Sequence, residues 1–222
     1  MSQIRTIEIK KSVFEDNTIK ADELRKELKN QQTFLLNLMS SPGSGKTSTV
    51  MGTIDRMRDQ FKMGVIEADI DSVVDAEKVA SKGIPIVQLQ TGGLCHVDAT
   101  MTKEGLDGLK TKELDIVILE NVGNLVCPAE FDTGASKNVM ILSVPEGDDK
   151  PLKYPLMFSI VDALIINKID CASYFDFDSK AVKERVMKLN PDIAFFEISA
   201  KTGEGLDSWT DWLCDQMVIW NR

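Results

Sequence analysis

The segment Ser40-Ser41-Pro42-Gly43-Ser44-Gly45-Lys46-Thr47 has the residue types needed to hold a phosphate chain. It follows the pattern G-x-x-x-x-G-K-[ST] at every defined position except the first, where serine replaces glycine. A glycine-rich turn lets successive backbone N–H groups face phosphate oxygens, and a helix starting behind it adds its positive end. Lys46 is then expected to reach the β- and γ-phosphates, and the Thr47 hydroxyl to coordinate Mg²⁺. Gly43, Ser44, Gly45, Lys46, Thr47 and Ser48 form the expected phosphate site, with Lys46 also serving the chemistry. Gly/Ser clusters occur in ordinary turns, but the context argues for the phosphate loop. An apolar run at 34–39 precedes it, and a helical pattern at 48–61 follows.

Two acidic stations accompany the loop. The run 116–119 ends in Glu120-Asn121-Val122-Gly123, and the run at 65–66 ends in Glu67-Ala68-Asp69-Ile70-Asp71, with Asp75 beyond. Such acids often form a solvated face, yet both groups follow strands, where open α/β sheets place ligands. Glu120 is expected to hold Mg²⁺ directly or through water, with Asp69 near the same ion. The Gly123 N–H is placed at the γ-phosphate, and Asp75 is a candidate for orienting a hydrolytic water.

Asn167-Lys168-Ile169-Asp170 resembles the N-K-x-D motif of GTPases, and Ser199-Ala200-Lys201 resembles their S-A-K loop. A carboxylate at Asp170 can accept both the N1–H and the exocyclic amine of guanine, whereas adenine would present it with an acceptor. The Lys168 stem is expected over one face of the base, and the Ala200 N–H at O6. GTPases usually carry D-x-x-G where this chain has E-x-x-G. No glutamine follows Gly123, which predicts slow intrinsic hydrolysis.

The sole histidine stands beside a cysteine in Gly92-Gly93-Leu94-Cys95-His96-Val97-Asp98-Ala99, and Cys127 lies seven residues after Glu120. Thiolate and imidazole donors suit Zn²⁺ or Ni²⁺, while Mg²⁺ prefers oxygen. For each cysteine alone, buried packing is the alternative. Cys171 and Cys214 are read as structural.

The elements positioning these groups follow from hydrophobic periodicity. Short apolar runs at 34–39, 65–66, 84–89, 116–119, 139–142, 163–166 and 194–198 are near-continuous, as in strands covered on both faces. Most gaps between them accommodate a crossover helix. The fold class is therefore α/β, a three-layer arrangement with a mainly parallel sheet flanked by helices. Leu206, Trp209, Leu213, Met217 and Trp220 form a helix stripe read as core packing. Upstream, a short strand around Ile7 and Ile9 and then a charged helix are expected. No linker or low-complexity segment divides the chain, so residues 1–222 are read as one domain, with 1–33 an extension packing on it.

Composition narrows the function classes. The 222 residues are 43% hydrophobic and carry a formal charge of −9, which argues against nucleic-acid binding and docking on an anionic membrane. No apolar run approaches the ~20 residues needed to span a bilayer. Four scattered cysteines point to a reducing compartment, so a cytoplasmic location is expected.

Taken together, these motifs resemble the HypB family, the GTPases needed for nickel insertion into nickel–iron hydrogenase. The similarity runs from about Phe34 to the C-terminus. It rests on the phosphate loop, on Gly-Gly-Leu-Cys-His-Val-Asp-Ala (92–99) and Glu-Asn-Val-Gly-Asn-Leu-Val-Cys-Pro-Ala-Glu-Phe-Asp (120–132), and on Asp-Lys-Pro-Leu-Lys-Tyr-Pro (149–155) and Asn-Lys-Ile-Asp. The resemblance implies a P-loop GTPase fold and GTP hydrolysis with Mg²⁺. It also implies a nucleotide-promoted homodimer with Cys95, His96 and Cys127 binding Ni²⁺ or Zn²⁺ at the interface. By the same resemblance, Lys153 contacts the base across the dimer, and the partners are a second nickel-handling accessory protein and a hydrogenase large-subunit precursor. Residues 1–33 contain neither Cys nor His, so the nickel-storing tail of many members is not expected. The nearest rival is the urease GTPase UreG family, whose Cys-Pro-His motif differs from the separate Cys-His and Cys-Pro here. A GTP-gated scaffold without metal delivery is the rival from another class, and a small-molecule kinase is discouraged by the base-reading pair.

Overall fold

The computed structural model describes residues 9–69, 74–109 and 114–222; the side chains of 9–12, 74 and 75 lie outside the described set. Strands β1 (Phe34–Ser40), β2 (Met63–Asp69), β3 (Ile86–Gln90), β4 (Ile116–Glu120), β5 (Lys137–Ser143), β6 (Ala163–Asn167) and β7 (Ala194–Glu197) form one sheet. Its order is β3-β2-β4-β1-β5-β6-β7, and every pairing is parallel.

The continuous apolar runs have a direct structural reason. Alternate residues of a strand point to opposite faces, so a sheet covered twice needs apolar residues at both parities. In β1, Phe34, Leu36 and Leu38 join one core with α2 (Lys46–Met57) and α9 (Leu206–Trp220). Leu35 faces the opposite side with α1 (Ile9–Gln31) and α4 (Ala99–Leu109), and Met39 faces a third cluster with α7 (Pro155–Ile160) and α8 (Ser179–Leu189). The α9 stripe buries Leu206, Trp209, Leu213 and Met217, and the Trp209 indole N–H donates to Thr53 Oγ1 at 3.0 Å.

One polar residue interrupts β1. Asn37 is buried, accepts from Asn121 Nδ2 at 3.1 Å and donates to Asn138 Oδ1 at 2.9 Å. This satisfied amide ladder crosses three adjacent strand regions where an unpartnered amide would be expensive.

The upstream strand is a correction: Ile9 opens α1, while Ile7 lies outside the described residues. Buried Asn17, Ala21, Leu24 and Leu28 carry a helical spacing through this segment, and two alternating isoleucines are too few to set a strand period. The helix after the phosphate loop, α2, spans Lys46–Met57, beginning two residues before the expected 48–61 and ending four short of it. Among the described residues, no helix is long and apolar enough to cross a membrane.

Candidate functional site

All the sequence-derived stations follow C-terminal ends of parallel strands, the edge where open α/β sheets gather ligands. After β1 the chain turns through Gly43 (φ 75°) and Gly45 (φ 97°) before α2 begins at Lys46. A Cβ on Gly45 would sit 2.4 Å from Asn167 Nδ2, so this close approach requires glycine as well as its positive φ. Ser40, at the pattern's first position, has a definite task. Its buried hydroxyl accepts from Lys46 Nζ at 3.0 Å and from Ser44 Oγ at 2.6 Å, and donates to the Ser41 carbonyl at 2.7 Å. This hydrogen-bonded serine orients the lysine that the sequence pattern singled out.

Thr47 Oγ1 donates to Glu120 Oε1 at 2.8 Å, bringing together two groups expected at Mg²⁺. A cleft of about 250 Å³ beside them is lined by Lys46, Asp69, Glu120 and Gly123, and also by Glu67, to which the sequence alone assigns no role. The oxygen donors Thr47, Asp69, Glu120 and Glu67 suit a hard divalent cation. A Cβ at Gly123 would approach Pro42 to 3.0 Å, so the loop after β4 lies close against the glycine-rich loop with no room for a side chain there. Asp75 falls in α3 (Val74–Ala80), and its side chain is outside the described residues.

The base-reading motifs meet this loop from the other side. Asn167 donates through Nδ2 to the Ser44 carbonyl at 2.9 Å, while its Oδ1 accepts from the N–H groups of Lys168 at 2.8 Å and Ala200 at 3.0 Å. Lys168 adopts φ 65°, a left-handed conformation costly for lysine, and its Nζ reaches the Gly43 carbonyl at 2.7 Å. Asp170 Oδ1 accepts from Ser199 Oγ at 2.7 Å, and Asp170 remains exposed. The Ala200 N–H, expected at guanine O6, donates instead to Asn167 Oδ1, so a base placed there would have to share or displace that bond. Ser48 lies exposed in the first turn of α2, and Lys201 lies exposed in the turn after Ala200. Lys153, on α6 (Lys150–Lys153), is exposed and pairs with Asp149 at 2.5 Å.

Cys95, His96 and Cys127 converge although they follow different strands, β3 and β4, and 32 residues separate the thiols. One donor atom from each lies within 4.8 Å of the others, and the two sulfurs are 2.6 Å apart. Among the described residues, no hydrogen-bond partner meets the buried His96 Nδ1. Burial lowers the pKa of His96 despite the opposing charges of Asp98 and Glu130, favouring the neutral imidazole that binds metals. Hydrogen bonding with Cys95 and then burial raise the pKa of Cys127, so its thiol must lose a proton on metal binding. Asn124, at the position after Gly123, donates to the Cys95 carbonyl at 3.4 Å and so links the two donor loops. Residues missed by sequence reasoning include Phe131, whose ring stacks on His96 at 3.7 Å and 11°. Its sequence signal was its place in the 120–132 segment, four residues after Cys127.

The glycine-rich loop at 40–47, the segments 167–170 and 199–201 and the sulfur–nitrogen cluster therefore stand along one sheet edge. Comparisons with known proteins give the same combination a family. Residues 34–197 match the model described as the CobW/HypB/UreG nucleotide-binding domain. The chain is 42% identical over 213 residues to hydrogenase maturation factor HypB of Escherichia coli, covering 96% of this chain and 73% of that protein. It is 40% identical to the hydrogenase/urease maturation factor HypB of Helicobacter pylori over 96% of this chain and 88% of the relative. The crystal structure of Helicobacter pylori HypB in complex with nickel superposes with a TM-score of 0.86 at 41% identity, covering 91% of this chain and 95% of that one. With its seven parallel strands and the phosphate loop following the central β1, this chain belongs to the HypB family of P-loop GTPases.

Proposed function

We propose that this chain is a GTP-hydrolysing metallochaperone that delivers nickel during maturation of nickel–iron hydrogenase. A single observation carries the reading. The loop from Glu120 to Cys127 touches Thr47 at one end, lies close against Pro42 at Gly123, and ends at the thiol cluster. Movement at the γ-phosphate thus has a covalent path of seven residues to a sulfur donor.

In this reading Gly43 to Ser48 hold the phosphates, Asn167, Lys168 and Asp170 read guanine, and Ser199, Ala200 and Lys201 support that reading. Thr47 and Glu120, with Asp69 beside them, would hold Mg²⁺, whose charge would offset that developing on the phosphate oxygens. Lys46 and the Gly123 N–H meet the γ-phosphate, and Asp75 orients the water. Cys95, His96 and Cys127 carry Ni²⁺ as cargo, with Zn²⁺ the competing ion. Three soft or borderline donors leave a tetrahedral site one ligand short. A two-fold homodimer supplies a second set, and places the partner's Lys153 over an otherwise exposed base site. Residues 1–222 act as one domain in the cytoplasm, meeting a second nickel-handling accessory protein and a hydrogenase large-subunit precursor.

The decisive experiment is nickel titration of the apo, GDP and GTP-analogue forms with mass measured alongside. Nucleotide is expected to change nickel affinity about 5–150-fold, corresponding to roughly 1–3 kcal/mol of coupling, with the reciprocal effect on nucleotide. Identical nickel affinity in all three states would leave two sites without a switch. Cargo transfer is then measured to purified precursors of a hydrogenase and of a urease, since the Helicobacter pylori relative is named for both. Transfer to the urease alone would favour the urease reading.

The acidic stations have their own test. Asp75→Ala is expected to keep GTP affinity but slow single-turnover hydrolysis about 10²-fold or more, the lower end of the range for a positioned general base. Asp69→Ala is expected to raise the Mg²⁺ concentration needed for half-maximal rate. Normal hydrolysis by both variants would reduce the cluster to a solvated face.

A further inference from the structure

Helix α1 lies upstream of the matched nucleotide-binding domain, which begins at residue 34. It nevertheless contacts both loops of the sulfur–nitrogen cluster. Asn17, only 7% exposed, donates through Nδ2 to the Asp132 carbonyl at 2.9 Å and accepts at Oδ1 from the Ala99 N–H at 3.0 Å. The amide orientation is dictated by its partners, because a backbone carbonyl only accepts and a backbone N–H only donates. Ala99 opens α4 three residues after His96, and Asp132 lies five residues after Cys127. One buried side chain therefore bridges the two ligand-bearing segments.

Neighbouring positions on the same face of α1 add to the bridge. Phe14, one turn before Asn17, lies 4.9 Å from Phe131, the ring that stacks on His96. Arg25, two turns after Asn17, donates through Nη2 to both carboxylate oxygens of Asp132 at 2.7 and 2.8 Å and through Nε to the Ala135 carbonyl. Charge-assisted pairing of this kind gives geometric as well as energetic definition. The cluster also needs such definition: Cys95 and His96 are adjacent, and their donors meet Cys127 only if the two loops hold a set separation.

We propose that Asn17 is a positioning residue of the Cys95–His96–Cys127 site, with α1 acting as a splint across the two donor loops. Phe14, through Phe131, sets the plane of the His96 ring. Neither Asn17 nor Phe14 supplies a donor atom. The proposal rests on the reading of those three residues as metal donors, since the splint matters only where that geometry is used. Groups that orient metal ligands without touching the metal commonly change affinity about 10–100-fold when removed.

The test uses the full chain and Ni²⁺ alone as the probe, comparing the parent, Asn17→Ala, Phe14→Leu and a Cys95→Ala, Cys127→Ala double variant. Nickel affinity is measured by competition with a chromophoric chelator, the thiolate-to-nickel charge-transfer absorption reports donor geometry, and GDP affinity reports the integrity of the nucleotide site. Asn17→Ala is expected to lose about 10–100-fold in nickel affinity and shift the charge-transfer band while GDP affinity stays within about twofold. Phe14→Leu, which keeps an apolar side chain, is expected to show the band shift with a smaller loss. Parental nickel affinity and absorption in Asn17→Ala would overturn the proposal. Should Asn17→Ala lose GDP binding as well, Phe14→Leu decides, and a parental band there overturns it. Absence of the thiolate band in the parent, or its survival in the cysteine double variant, would instead defeat the metal-site reading and the splint with it.

Discussion

Asp170→Asn is expected to change the preference between GTP and xanthosine triphosphate by about 10³-fold or more. The proposed base contact has a carboxylate accepting from guanine N1–H and its amine, and asparagine replaces one acceptor with a donor. That loses a charge-assisted bond and turns an N–H toward another N–H, about 2–3 kcal/mol at a site left partly open in the single chain. Xanthine carries a carbonyl where guanine carries the amine, so the same donor gains a partner and affinity shifts in its favour by a similar amount. The substitution keeps an oxygen for Ser199, whose hydroxyl now donates to Asp170 Oδ1 at 2.7 Å, so the loop is expected to retain its shape. Equilibrium titration with fluorescent analogues of both nucleotides measures the two affinities directly. Unchanged GTP affinity would remove Asp170 from the base site.

Replacing Cys95 and Cys127 together with alanine is expected to weaken nickel binding more than about 10³-fold, because it removes two of three converging donors and leaves one imidazole. GDP affinity is expected to stay near the parental value, since neither thiol lines the phosphate loop. The parent's nickel affinity should also depend on pH, with a sign that follows from the donors. Cys127 has its pKa raised by hydrogen bonding with Cys95 and by burial, so near neutrality the metal must displace its proton. His96 has its pKa lowered by burial and is already neutral there, so it adds little pH dependence above its own depressed value. Apparent nickel affinity is therefore expected to rise with pH from 7 toward the raised Cys127 pKa, about tenfold per unit for each proton displaced. Buffered nickel competition at several pH values measures the slope. A flat profile would exclude proton displacement at a thiol.

The candidate residues and the parallel sheet that positions them were legible in the chain itself. Backbone pattern and side-chain type coincide in the phosphate loop, where glycine spacing and the Lys-Thr pair have one efficient use before a helix. The seven apolar runs were equally plain, because a doubly covered parallel strand must be apolar at consecutive positions. Local pattern misled at Ile9, where a short alternation competed with a helical spacing continuing through Asn17 and Ala21.

Convergence was decided by tertiary structure. Nothing in the spacing of Cys95-His96 and Cys127 states that their donors meet within 4.8 Å; the sheet order, which places β2 between β3 and β4, determines how their loops can reach each other. The same holds for Ser40 under Lys46, for the Ala200 N–H bound to Asn167, and for Asn17 joining Ala99 to Asp132. Residue type and local spacing report which atoms can bond. Long-range contacts depend on how the strands are ordered and how helices close over them, because chain distance places almost no limit on which loops share an edge. Thus the amino-acid sequence alone determined the kind of nucleotide loop, the candidate donors and the parallel α/β class, while the packed sheet and α1 decided which of those groups stand together and what holds them there.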